Sequence, residues 1–153
     1  MPVVGVDGCR VGWFAVRLEL GGNSSFDVFP KIEDLWNEWG DASLILIDIP
    51  IGLSDTNRRC DTDARKALVH RHSTVFTPPC RAALEASTYR EASEDNFGVT
   101  GRKLSKQAWG ILPKIREVDE LMRQNTEARS RIREVHPEVC FWALAGGVPM
   151  TTP

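Results

Sequence analysis

The chain has 153 residues, 42% hydrophobic and 26% charged, which is the size and balance of one ordinary globular domain able to bury a core. A net charge of −2 excludes a whole-surface electrostatic nucleic-acid binder of the histone kind and leaves room only for a local basic patch. No run reaches the roughly 18 apolar residues a membrane helix needs, and Met1-Pro2-Val3-Val4-Gly5 lacks the basic flank of a secretory leader. A cytoplasmic protein with no membrane partner is therefore expected.

Val3-Val4-Gly5-Val6-Asp7 is a short apolar run ending in a charge, and Gly8-Cys9-Arg10-Val11-Gly12 supplies turn chemistry before a second run. From Trp13 to Leu20 the pattern alternates, with Phe14, Val16, Leu18 and Leu20 on one face and Arg17 and Glu19 on the other, as in a half-buried antiparallel strand. Gly21-Gly22-Asn23-Ser24-Ser25 turns the chain, and Phe26 to Phe29 adds a third strand to the meander. Ile32, Leu35, Trp36 and Trp39 recur at helical spacing between acids and predict an amphipathic helix ended by Gly40.

Leu44 to Ile51 is apolar throughout except for Asp48, which predicts a central parallel strand covered on both faces. Helices are expected over 58 to about 71, over 81 to 94, and from near Ser105 to Met122, the last kinked or split at Pro113. Ile132 to His136 reads as a short strand and Glu138 to Ala145 as a helix stopped by Gly146-Gly147. Parallel strands joined through a helix cross over right-handedly, so the expected architecture is an α/β fold with a five-stranded mixed sheet of order 3-2-1-4-5 and helices on both faces. Ligands of open α/β sheets sit at the carboxyl ends of the parallel strands, where Asp7 and Asp48 both fall.

Cys9, Cys60, Cys80 and Cys140 are widely spread without a C-x-x-C pair, which predicts reduced thiols and not a zinc ribbon. His70 and His72 have the wrong spacing for a helical metal pair, and the chain has no nucleophile elbow and no P-loop. Two carboxylates on neighbouring strand ends repel each other, and a hard divalent cation relieves this; magnesium takes one or two protein carboxylates and keeps waters for substrate phosphate. Either Asp could instead cap its own following turn.

Arg133-Glu134-Val135-His136-Pro137-Glu138 adds further donors. Glu134 is the expected third ligand, with Glu138 in reserve because a first-turn acid also favours its own helix N-terminus. His136 is either a site residue on Glu134's face or a satisfied core histidine. Arg58, Arg59, Arg65, Lys66, Arg71 and Arg81 outnumber Asp61 and Asp63 by six to two. They are either a flank that grips phosphate or a solvated helix face.

Several motifs gain meaning together: Gly5-Val6-Asp7-Gly8-Cys9-Arg10 with Gly12-Trp13; Ile47-Asp48-Ile49-Pro50-Ile51-Gly52-Leu53; Arg59-Cys60-Asp61 with Ala64-Arg65; Gln107-Ala108-Trp109; Pro113-Lys114-Ile115-Arg116-Glu117-Val118-Asp119; and Glu134-Val135-His136-Pro137-Glu138. In this order, over nearly the whole chain, they resemble the family called domain of unknown function 429, predicted nucleases of ribonuclease H-like fold. The resemblance implies a single ribonuclease H-like domain over 1–153 and a metal-dependent phosphodiesterase. Asp7 and Asp48 would be its metal-binding acids, with Mg2+ or Mn2+ as cofactor and nucleic acid as partner. Arg10, Arg59, Arg65, Arg71, Lys114 and His136 are the substrate-binding residues expected with it. The superfamily also carries an acid on a late helix, which the segment after Gly147 does not supply, so either a chain shortened there relative to its relatives or an incomplete site is expected.

The alternative reading is a non-catalytic nucleic-acid- or nucleotide-binding domain of the same fold. A nucleotide-binding module like the sugar kinases and actin-like ATPases would need a second, duplicated domain.

Overall fold

The computed structural model describes residues 1–150. They divide into two compact units, one formed by Met1–Ile51 with Pro113–Val135, the other by Gly52–Leu112 with the segment from His136 onward.

The first unit holds the sheet: β1 (Val3–Cys9), β2 (Gly12–Leu18), β3 (Ser24–Phe29), β4 (Leu44–Ile47) and β5 (Ile132–Glu134). Its order is β3-β2-β1-β4-β5, as the sequence predicts. β2 runs antiparallel to β1 and β3, whereas β1 with β4 and β4 with β5 are parallel. Pairing places Val4 beside Ile45 and Val6 beside Ile47, and residues paired across a ladder share a face. That face is the core, with Val4, Trp13, Ala15, Ile45 and Ile47 fully buried.

The register also reverses the expectation for β2. Val6 pairs with Ala15 and Gly8 with Trp13, so Trp13 and Ala15 go inward while Phe14 and Leu18 are 40% and 53% exposed. Leu20, expected on the same strand face, lies beyond the strand's end. Alternation reveals that a strand has two faces, but its partners decide which one is buried.

Helix α1 (Ile32–Trp39) buries Ile32, Leu35 and Trp39, and Trp39 meets Phe29 edge-on with ring centroids 5.0 Å apart. At its start the Asp34 carboxylate accepts the Lys31 N–H at 3.1 Å, satisfying a donor that has no partner inside the helix. β4 ends at Ile47, earlier than the predicted Ile51, and its Leu44 and Leu46 are only half-buried. Another short helix, α5 (Thr126–Arg131), precedes β5; the Asn125 side chain caps it by accepting the Glu127 and Ala128 N–H groups.

The second unit contains α2 (Arg59–Leu68), followed by 3-10 turns at Val69–Thr74 and Arg81–Leu84, then α3 (Tyr89–Thr100) and α6 (Pro137–Leu144). The helix predicted over 81 to 94 starts eight residues late, because Thr88 and Glu91 form a reciprocal cap: Thr88 Oγ1 accepts the Glu91 N–H and Glu91 accepts the Thr88 N–H. Gly101, at φ 70°, ends α3 in the left-handed region. α4 (Lys106–Gln124) is one helix with Pro113 in its interior, and the division between the units falls at that proline. Among the described residues no helix is long and apolar enough to cross a membrane.

Candidate functional site

Asp7 and Asp48 come together through the parallel ladder. Val6 pairs with Ile47 as the last rung between β1 and β4, and the Asp48 N–H donates to the Val6 carbonyl at 3.1 Å. The next residues, Asp7 and Asp48, are thus lateral neighbours where β1 outlasts β4, on strands about 4.8 Å apart. Both are exposed, so neither carries the desolvation of a buried charge, and proximity alone makes the pair unusual. Arg10 is exposed in the turn that joins β1 to β2, three residues beyond Asp7.

The end of β1 is shaped by glycines and by α4. A Cβ on Gly8 would lie 2.8 Å from the Lys114 side chain, and a Cβ on Gly12 (φ 147°) 2.0 Å from the Phe29 carbonyl oxygen. Lys114 Nζ donates to the Gly12 carbonyl at 2.6 Å and sits 4.4 Å from the Trp13 ring centre. Lys114, expected to bind substrate, is therefore clamped onto the β1–β2 hairpin. One turn on, Glu117 Oε2 accepts both the Trp13 indole N–H at 2.9 Å and the Ile32 backbone N–H at 3.2 Å. Sequence reasoning missed Glu117; its clue was its place in the same motif as Lys114.

Glu134 lies in register with Ile47, one residue short of Asp48. Its Oε2 accepts the Ile51 N–H at 2.8 Å, so it ties down the segment that follows Asp48. Among the described residues no group of three His, Cys, Asp or Glu side chains is placed to hold one metal ion. Two exposed acids at neighbouring strand ends supply hard oxygen donors of the kind a magnesium- or manganese-type ion takes, with water filling its remaining positions.

The other predicted residues lie in the second unit. Arg71 grips Glu138 with two parallel bonds, Nε to Oε2 at 2.9 Å and Nη2 to Oε1 at 2.5 Å. This fork-to-fork geometry commits the reserve metal ligand and a predicted phosphate binder to each other. Arg65 Nη2 donates to the Val75 and Phe76 carbonyls and to Thr77 Oγ1, at 3.0–3.1 Å, pinning that loop. Arg59 is 94% exposed beside Asp63, as on a solvated helix face. His136 starts α6, and its Nε2 lies 3.1 Å from the Thr74 carbonyl. A carbonyl only accepts, so that nitrogen carries the proton, while the buried Nδ1 has no hydrogen-bond partner among the described residues. The four cysteines are free thiols.

Compared with known proteins, the chain matches over residues 5–153 the family model described as protein of unknown function (DUF429). No curated protein and no solved structure matches it.

Proposed function

Because the chain belongs to the DUF429 family of proteins of unknown function, we infer its activity from the site, and propose a divalent-metal-dependent nuclease of ribonuclease H-like fold centred on Asp7 and Asp48. The observation that carries this reading is the position of these two exposed acids immediately beyond the last rung, Val6 with Ile47, of the ladder between adjacent parallel strands. The sheet order agrees with that fold, and carboxyl ends of parallel strands are where such sheets work.

Asp7 and Asp48 would hold Mg2+ or Mn2+, which supplies charge stabilisation at phosphoryl oxygens and lowers the pKa of a water nucleophile. The chain's own residues do the rest. Asp7 stands within β1 and Asp48 one residue beyond β4, where its N–H still bonds the Val6 carbonyl, so the ladder anchors both backbones. Glu134 holds the segment after Asp48 through Ile51 and so acts as a positioning residue. Arg10, in the adjoining turn, supplies a guanidinium fork suited to a phosphate oxygen pair. With a net charge of −2, attraction for a nucleic-acid backbone has to be local, and Arg10 is the cation in reach by sequence.

The test is calorimetric titration of Mn2+ into the parent, Asp7→Asn and Asp48→Asn chains, followed by cleavage assays on single-stranded, duplex and hybrid substrates. Binding to the parent that weakens at least tenfold in each variant, with metal-dependent cleavage, is expected. Absence of binding to the parent, or binding unchanged in both variants, refutes the site. The engagement of Glu134 by backbone favours a second reading, a non-catalytic nucleic-acid- or nucleotide-binding domain; oligonucleotide binding that needs no metal and yields no cleavage would select it.

A further inference from the structure

The second unit contains a cavity of 580 Å3 that the proposed metal chemistry does not use. It lies where the Ser54–Asn57 loop enters α2, and is closed by the Thr77–Cys80 loop and by the turn after α3. That volume is within the range of sites for small organic ligands.

Its walls are held in place by internal bonds. Asn96, buried, accepts the Cys80 N–H at 2.8 Å and donates to the Arg102 carbonyl at 2.7 Å, joining two of the enclosing loops. Arg65 holds the start of the first of these two loops through its bonds to residues 75–77. A cavity fixed in this way pays little ordering cost when a ligand enters.

Its charge identifies the ligand class. Arg58, Arg65, Arg102 and Lys103 line it against Asp55 and Asp61, so four positive and two negative charges leave +2 in a chain whose net charge is −2. Arg58 lies within the wall with its side chain 5% exposed, 3.2 Å from Asp61 at 12%. Solvent screens its charge less than that of a surface guanidinium, and Asp61 balances part of it. Arg102 and Lys103 are exposed at the rim. Thr62 and Ser105 add hydroxyl groups, and Pro78 and Leu104 supply apolar surface for an uncharged body.

We propose that this cavity binds a small organic phosphate of mononucleotide size, its anionic group held by Arg58, Arg102 and Lys103 and its body resting on Pro78 and Leu104. Neither Asp7 nor Asp48 lines this site, and it requires no divalent metal.

The full chain is titrated in EDTA with adenosine monophosphate, inorganic phosphate and adenosine, by calorimetry and thermal melting. At a hundredfold excess over the dissociation constant, the monophosphate raises the melting temperature by about 5 °C, and inorganic phosphate by less. The Arg102→Glu/Lys103→Glu chain weakens monophosphate binding at least tenfold, and Lys103→Gln, a smaller change at an exposed position, weakens it several-fold. Asp7→Asn leaves it unchanged, which separates this site's failure from that of the metal site. No binding of either phosphate compound, adenosine binding as tightly as its monophosphate, or undiminished binding by both rim variants overturns the proposal.

Discussion

Removing the Glu117 carboxylate tests whether α4 is the strut that holds the hairpin bearing Asp7. Trp13 is fully buried, and its indole N–H donates to Glu117 Oε2, which also accepts the Ile32 N–H at the start of α1. In Glu117→Ala the indole N–H is stranded, at a cost of about 1–3 kcal/mol, and a second charge-assisted bond is lost. The Ile32 N–H, a helix-terminal donor, recovers part of its loss from water. The expected total is about 3 kcal/mol. Glu117→Gln keeps an acceptor of the same shape and gives up only the charge, for about 1 kcal/mol. With a urea m-value of about 2 kcal/mol/M, the midpoints fall by about 1.5 M and 0.5 M. Far-UV circular dichroism is the suitable probe, because five tryptophans blur a fluorescence signal. In a Trp13→Phe background, which removes the donor, Glu117→Ala should cost about 1–2 kcal/mol less. Equal losses for Ala and Gln, or the same loss with and without the indole, would refute the strut.

Gly12→Ala should leave the chain unfolded or at least about 3 kcal/mol less stable, since its Cβ would overlap the Phe29 carbonyl; Gly5→Ala, with nothing within 4 Å, should change stability by less than about 1 kcal/mol, and comparable melting of the two variants would contradict the geometry. Arg17 grips Asp41 through Nη1 to Oδ1 at 2.6 Å and Nη2 to Oδ2 at 2.8 Å, and these bonds hold the Asp41 carboxyl below its ordinary value. The unfolded chain therefore takes up that proton first on acidification, so the pair's contribution is complete above about pH 4 and is lost as pH falls through the folded value. Because the Asp41 side chain is 64% exposed, solvent limits the effect to about 0.5 kcal/mol. Asp41→Asn should be less stable than the parent at pH 7 by that amount and indistinguishable near pH 2; a constant difference across the range would contradict the pairing.

Much of the fold was legible because the first 50 residues write their elements plainly. Alternation, a glycine-rich turn, a 3.6-residue apolar repeat and an uninterrupted apolar run follow one another, and a right-handed crossover then leaves few sheet orders. The second unit was harder to read. Its helix α3 begins at a side-chain cap, Thr88 with Glu91, that sits where composition suggests a helix interior. The candidate site was legible in part for the same reason: Asp7 and Asp48 interrupt apolar strands, which is visible in one dimension, whereas the partners of Glu134, Glu138, Arg65, Arg71 and Lys114 are set by contacts many residues away.

The sequence by itself determined the element types, the order of the sheet and the candidacy of Asp7 and Asp48, because periodicity and chain connectivity are local properties. Only the tertiary structure decided which face of β2 is buried, that Glu138 belongs to Arg71, that Lys114 and Glu117 brace the hairpin, and that a basic cavity forms in the second unit. Those outcomes depend on register and on long-range hydrogen bonding, where a shift of one residue exchanges a buried side chain for an exposed one.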